Sequence, residues 1–178
     1  MCGICGIIGK PEEQAIKKML GAMVHRGPDD EGMYSDQFLS IGMRRLAIID
    51  LSARAHQPMA NRDQTLWIVY NGEMYNYQSE RNILINKGFA FVSDSDTEVV
   101  IKMYEYYGDS FLERMEGMFG LCIYDKRKGA GRERILLARD HLGIKPLLYS
   151  ISPEKLIFSS EIKPLIASSF FAPIPLTF

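Results

Sequence analysis

Residues 2–9 read Cys2-Gly3-Ile4-Cys5-Gly6-Ile7-Ile8-Gly9, and the nature of this stretch decides how the rest of the chain is read. It is apolar and punctuated by glycine, the pattern of a buried strand. Its first four residues also form a C-x-x-C, so redox chemistry, metal binding and nucleophilic catalysis compete. A redox pair belongs at the start of a helix in a βαβ setting, where the helix dipole lowers the thiol pKa. Here the motif opens a strand, with no strand before it. A zinc site needs about four ligands, and the remaining candidates are Cys122 and three histidines at unhelpful spacings. In an extended strand an offset of three also sends Cys2 and Cys5 to opposite faces.

The third reading uses the chain terminus. Removal of the initiator Met1 is expected before a residue as small as cysteine, and it leaves Cys2 with a free α-amine. Such an amine has an ordinary pKa of about 7.7–8.0, so it can accept the thiol proton in place of a histidine. A thiolate attacks an amide carbonyl readily and leaves readily when the thioester is hydrolysed. Position alone leaves Cys2 ambiguous between this role, a redox pair and a small buried residue at a strand start.

Outward from this strand, Ala15, Ile16, Met19, Leu20 and Met23 recur at helical spacing after Pro11, and turn residues at His25, Gly27 and Pro28 close that segment. Strand-like runs follow at residues 39–49 and 66–70, the second ending in Asn71-Gly72, a pair that favours a type I′ hairpin. A helix is predicted over residues 78–86 with a glycine cap at Lys87-Gly88. Ser95-Asp96-Thr97-Glu98 has capping-box spacing ahead of Val99, Val100, Met103 and Tyr104, so a second helix begins there and ends near Gly108. Short strands are predicted at residues 118–124, 135–138, 147–151 and 156–159. Helices set among hairpin-linked strands indicate an α+β fold with antiparallel sheets.

The 178 residues fit one domain, with 47% hydrophobic and 24% charged residues and a formal net charge of −1. Such a balance gives no basic field for nucleic acid or an anionic membrane. The basic runs at residues 126–128 and 132–134 read as a solvated hairpin loop. No apolar stretch approaches the roughly 20 residues needed to span a bilayer, and the N-terminus lacks the order of a secretory signal. Cys2, Cys5 and Cys122 are the only cysteines, which argues against a disulfide scaffold and for a reducing cytoplasm.

Nine short blocks occur in order: Cys2-Gly3-Ile4, His25-Arg26-Gly27-Pro28-Asp29, Arg45-Leu46-Ala47-Ile48, Asn71-Gly72-Glu73, Ser95-Asp96-Thr97-Glu98, Gly117-Met118-Phe119, Arg139-Asp140, Gly143-Ile144-Lys145-Pro146-Leu147 and Phe158-Ser159-Ser160-Glu161. Together they resemble the class II glutamine amidotransferase domain, the N-terminal nucleophile glutaminase, from Cys2 to about Ala167. The Pro28-Asp29 pair and the Gly-Ile-Lys-Pro-Leu segment are most similar to glutamine-hydrolysing asparagine synthetases. The resemblance implies a four-layer α-β-β-α sandwich of two antiparallel sheets.

It also implies roles. Cys2 is the nucleophile and its α-amine the base. Asn71, through its side-chain amide, and Gly72, through its backbone N–H, form the oxyanion hole, where one donor is typically worth about 2.7–4 kcal/mol. Arg45 binds the substrate α-carboxylate with its planar fork of donors, whereas Arg44 reads as a strand residue facing water. Asp96, rigidly presented in a first helical turn, pairs with the substrate α-ammonium with help from Glu73. Residues 45 to about 58 form a loop over bound glutamine. His25 is not needed as a base. Arg139, Asp140 and Lys145 read as a buried ion-pair corner, and Met103, Met115 and Met118 as core.

The resemblance places the domain at residues 1–168 and leaves an apolar tail, 169–178, as the stub of a missing synthetase domain. Glutamine is the expected substrate. The ammonia acceptor is a synthetase domain in cis or in trans, and a homodimer is compatible with the sequence. ATP and Mg are expected only in the missing domain, since no Ser-Gly-Gly-x-Asp-Ser loop occurs. No cofactor or metal is assigned to this chain. The alternative is a non-catalytic module that keeps the fold and binds a partner or amino acid.

Overall fold

Strand β1 (Gly3–Ile8) is buried at every position, as its unbroken apolar pattern predicts. The computed structural model describes residues 1–47, 50 and 52–171. The chain divides into two units, residues 1–46 with 147–178 and residues 47–146.

In the first unit β1 lies at the centre of a five-stranded antiparallel sheet. It is flanked by β3 (Leu39–Arg45) and β9 (Leu156–Ser159), with β2 (Asp30–Ser35) and β8 (Leu148–Ile151) at the edges. Helix α1 (Glu13–Gly21) packs Ala15, Ile16, Met19 and Leu20 with Cys5 and Ile7 of β1 and Leu165 of α5 (Ile162–Ala167). Burial of each large side chain of this kind contributes about 1.5–3 kcal/mol. Two elements here lack a sequence signal. β2 is an edge strand with mixed polarity, and α5 contains Pro164. That proline sits in the first turn, where its missing N–H would have no acceptor inside the helix. The strand expected over residues 39–49 ends at Arg45, with 48 and 49 outside the described residues.

The second unit is a four-stranded antiparallel sheet, in the order β4 (Met59–Ala60), β5 (Leu66–Met74), β6 (Gly117–Asp125) and β7 (Arg134–Arg139). Helices α2 (Tyr77–Asn86) and α3 (Asp96–Tyr107) and the short α4 (Phe111–Arg114) supply Leu84, Val100, Met103, Tyr104 and Phe111 to a core shared with Ile68, Tyr70, Leu121 and Ile123. Met103 and Met115 are in that core, while Met118 is half-buried on β6. Gly88 has φ +93 and accompanies N–H bonds from Gly88 to Ile85 and from Phe89 to Leu84, a Schellman cap as the sequence predicts.

Two expectations are corrected. Asn71-Gly72 is not a hairpin turn, because β5 continues through it to Met74, paired with β6 from Asn71 opposite Gly120 to Met74 opposite Gly117. The strand pairs with a segment far along the chain, so the local turn propensity has no adjacent strand to serve. Ser95 caps α3 by accepting from Thr97 N–H, but Glu98 does not reach back to Ser95. Its carboxylate takes the N–H groups of Val92 and Ser93 and the Ser93 hydroxyl. The basic runs fall in and beside the β6–β7 hairpin loop, which is mostly exposed as expected, and there Arg127 pairs with Asp125 and Arg134 with Asp109, each at 2.7 Å.

Each unit is thus an antiparallel sheet with its own helical layer, giving two sheets and two helical layers in an α+β chain. Phe170 and Phe171 belong to the first unit: Lys155 Nζ lies 3.5 Å from the Phe170 ring centroid, and Phe171 packs against the α1 core. The tail from 172 to 178 lies outside the described residues. Among the described residues no helix is long and apolar enough to cross a membrane.

Candidate functional site

Cys2 and Arg45 fall in the first unit, and Asn71, Gly72, Glu73 and Asp96 in the second. The two groups are taken in turn.

Cys2 lies one residue before the Gly3–Arg44 pair of the β1–β3 ladder, and Arg45 one residue after it. The Cys2 thiol sits against the backbone of Leu46, with Leu46 N–H donating to Sγ at 3.4 Å and the Leu46 carbonyl 3.6 Å away. The Cys2 carbonyl accepts from Arg26 Nε at 2.8 Å, and Arg26 Nη1 bonds to Glu161 at 2.8 Å. His25 Nε2 reaches the same carboxylate at 3.0 Å. Burial pushes the Glu161 carboxyl up, but Arg26 and His25 outweigh it and hold its pKa below the usual range. His25 thereby supports Glu161 from the outside, in keeping with a structural part for that loop.

The glycine between Arg26 and Pro28 has a steric cause. A Cβ on Gly27 would lie 2.4 Å from the Arg44 carbonyl carbon and 2.5 Å from Arg45 N. The turn after α1 can therefore lie directly on the end of β3 only with glycine there. Arg44 is not a water-facing strand residue. It pairs with Glu31 on β2, and its Nε donates to the Leu20 carbonyl at the end of α1. The sequence singled out the His25-Arg26-Gly27 and Phe158-Ser159-Ser160-Glu161 blocks without revealing that they meet at Cys2. No local pattern carries a contact between residues 26 and 161.

In the second unit the side chain of Asn71 is buried, and its amide nitrogen has no hydrogen-bond partner. Beside it, a Cβ on Gly72 would meet the Met118 carbonyl oxygen at 2.6 Å and the Tyr70 ring at 2.7 Å. Glu73 follows and is exposed. Asp96, at the first helical position of α3, accepts from Met74 N–H at 3.1 Å, so the helix start is tied to the end of β5. Burial pushes the Asp96 carboxyl up, outweighing the N–H donors of Met74 and Thr97, and Glu73 adds to the rise. Burial and Asp96 together drive the Tyr70 hydroxyl well above its ordinary pKa.

The loop expected to cover glutamine is fastened within this unit at two points. Asp50 Oδ1 accepts from Ser52 N–H at 2.8 Å and Oδ2 from Asp94 N–H at 3.0 Å. Gln57 is buried and bonded to Tyr70 and Thr97. Residue 51 of this loop, like 48 and 49, lies outside the described residues. Asp140, expected in an ion-pair corner, accepts from the backbone N–H groups of Phe119, Ile144 and Lys145. Burial pushes its carboxyl up, and those donors hold it below the usual range.

Cys5 and Cys122 are fully buried, and desolvation drives both thiols far above their ordinary pKa. A thiol of that kind is a poor redox partner for Cys2. Among the described residues no group of three or more His, Cys, Asp or Glu side chains could hold a metal ion.

The glutamine amidotransferase domain family matches the chain over residues 1–174. Asparagine synthetase [glutamine-hydrolyzing] 1 of Bacillus subtilis is 39% identical over 176 residues, covering 94% of this chain and 27% of that protein. A putative asparagine synthetase [glutamine-hydrolyzing] 2 of Methanocaldococcus jannaschii is 39% identical over 191 residues, covering 94% and 35%. The chain therefore spans about a third or less of the length of these curated relatives. A solved structure of glutamine phosphoribosylpyrophosphate amidotransferase from B. subtilis, in complex with ADP and GMP, matches with a TM-score of 0.79. It shares 21% identity and covers 94% of this chain and 44% of that one, a likeness of fold.

Proposed function

Because the chain belongs to the glutamine amidotransferase domain family, we propose that it hydrolyses glutamine to glutamate and ammonia through a thioester on Cys2. The ammonia passes to an asparagine synthetase-type domain or partner, in cis or in trans, that amidates an activated carboxylate, aspartate to asparagine.

The Cys2 α-amine, once Met1 is removed, takes the thiol proton. Sγ attacks the γ-carbonyl carbon, and the charge developing on oxygen is met by the Asn71 amide and the Gly72 N–H. The C–N bond then breaks, and the leaving nitrogen takes the proton from the α-ammonium. Water adds to the thioester, glutamate departs and the thiol is restored. Arg45 holds the α-carboxylate, and Asp96 with Glu73 the α-ammonium.

One observation carries this reading. A buried amide N–H without a partner costs about 1–3 kcal/mol, and Asn71 bears that cost beside a glycine with no room for a side chain. A donor aimed at a transient oxyanion accounts for it. ATP and Mg belong, in this proposal, to the synthetase partner, and buried free thiols fit a reducing cytoplasm. The family match running to residue 174 suits a boundary near residue 168 only loosely, and the packed Phe170 and Phe171 argue for a slightly longer domain. The test is ammonia release from glutamine by the Met1-processed chain against its Cys2→Ala variant. A Cys2-dependent rate is expected, and equal rates in the two sink the proposal.

A further inference from the structure

β4 pairs with β5 for two residues only, Met59 opposite Ile68 and Ala60 opposite Trp67. Continued by two residues, the same register brings residue 57 opposite Tyr70, at a site where both backbones would exchange hydrogen bonds. The ladder has already stopped at Met59, and a side chain takes over. Gln57 Oε1 accepts from Tyr70 N–H at 2.7 Å, and Gln57 Nε2 donates to the Tyr70 carbonyl at 3.3 Å. A carboxamide offers the same donor and acceptor as a peptide group, so Gln57 adds one rung to the sheet with its side chain. Its second amide hydrogen goes to Thr97 Oγ1 at 3.1 Å. Gln57 is 4% exposed, so these bonds form out of water.

Four residues along β5, Met74 N–H is taken by Asp96 Oδ2. Strand N–H groups alternate between the two edges, so those of Tyr70, Gly72 and Met74 face the same way. The Gly72 N–H thus lies on an edge bracketed by Gln57 at one end and Asp96 at the other. Its register partner would be Ala55, which belongs to a 3-10 turn, Ala53–Ala55, instead of a strand. Gln57 therefore grips the residue before Asn71 and the residue after Asp96.

We infer that Gln57 is a positioning residue, fixing the oxyanion donors of β5 against the first turn of α3. The inference rests on the glutaminase reading. Gln57 acts through Tyr70 and Thr97, and its loss frees the strand edge that presents Asn71 and Gly72. Misplacing a reacting geometry by about 1 Å can cost roughly a hundredfold in rate.

The experiment compares steady-state glutamine hydrolysis by the Met1-processed full chain with Gln57→Met, Gln57→Glu and Thr97→Val, together with Gln57→Met in an Asn71→Ala background. Far-UV circular dichroism confirms the fold of each. For Gln57→Met, which keeps the length and loses every bond, kcat should fall roughly 10–100-fold with KM changed less than about threefold. Gln57→Glu, which keeps the acceptor for Tyr70 N–H, should fall between it and the unmodified chain. In the Asn71→Ala background Gln57→Met should cost less than it does in the unmodified chain, because one of the two donors it positions is already gone. A folded Gln57→Met with kcat within about twofold of the unmodified chain overturns the inference, as does a fully multiplicative loss in the double variant. If Gln57→Met does not fold, Thr97→Val decides. It cuts only the link to α3, and unchanged kcat and KM there overturn the inference equally. Should the unmodified chain itself release no ammonia, the glutaminase reading fails and takes this one with it. An active chain with indifferent Gln57 variants refutes the positioning role alone.

Discussion

Asp50 and Asp96 are buried carboxylates of the same unit, 9% and 5% exposed, and their surroundings shift them in opposite directions. The Ser52 hydroxyl and N–H and the Asp94 N–H hold Asp50 down to about 2. Asp96 also receives backbone donors, yet burial outweighs them and its pKa rises. Burial alone does not set the sign. Asp50 has its charge taken up by the Ser52 turn and the Asp94 N–H, whereas Asp96 keeps a charge that the protein only partly satisfies. The contrast extends beyond the carboxylates. Arg26, apart from one nitrogen, is engaged with the Cys2 carbonyl and Glu161, while the Asn71 amide nitrogen is buried without a partner. Groups that hold the chain together find partners within it. The Asn71 amide nitrogen has none, and the Asp96 carboxylate is only partly satisfied.

Four variants test this division. The largest effect falls on Asn71: Asn71→Ala should lower kcat for glutamine roughly 10²–10³-fold. Its unfolding free energy in urea should change by less than about 1 kcal/mol, because the lost N–H groups bonded to nothing. A large loss of stability with intact turnover would reverse the assignment.

Glu161→Ala comes next and should cost about 2–3 kcal/mol in urea, since it leaves the nearly buried Arg26 guanidinium without its carboxylate. The folded-state pKa of Glu161 is depressed. Its contribution is therefore complete above the ordinary carboxylate value of about 4 and is lost as pH falls through the lowered one. Unfolding curves of the two proteins that stay parallel down through that range would contradict it.

Asp96→Asn should raise KM for glutamine about tenfold or more, worth about 1.4 kcal/mol. Here the folded pKa is raised, so the parent chain loses stability as pH climbs from about 4 through the raised value. The Asn variant escapes that loss, and its midpoint in thermal melts should overtake the parent's toward neutral pH. A midpoint that drops instead would make Asp96 a structural carboxylate like Asp50. The smallest effect belongs to Asp50→Asn, about 1 kcal/mol above pH 4 after solvent screening, shrinking as pH falls toward 2. Melts at pH 7 and pH 2 suffice to measure it.

The elements legible in the sequence are those with strong local chemistry. β1 shows as an unbroken apolar run, the end of α2 as Lys87-Gly88, and the start of α3 as Ser95. What escaped depends on distant partners. Asn71-Gly72 reads as a turn until β6 is known to lie alongside it, and β2 has only an edge strand's weak pattern. Arg44 cannot be told from a solvated residue without Glu31 on the neighbouring strand. The candidate site shows the same split. Cys2, Arg45, Asn71, Gly72, Glu73 and Asp96 were nameable because they sit in short blocks. Gln57 and Glu161 act through contacts 40 and 135 residues away in the chain, which no window of sequence contains.

The strand order of the first unit also has a temporal side. β1 precedes both of its sheet neighbours, β3 and β9, in the chain, and Ile4 exchanges hydrogen bonds with Ser160, its N–H donating to the hydroxyl and its carbonyl accepting from the backbone N–H. Such long-range pairing forms late. The support around Cys2 is therefore complete only once residue 161 has been added, since Glu161 holds the Arg26 guanidinium that grips the Cys2 carbonyl. A chain broken off before residue 161 keeps the β1–β3 pairing but loses the carboxylate that holds Arg26 against Cys2.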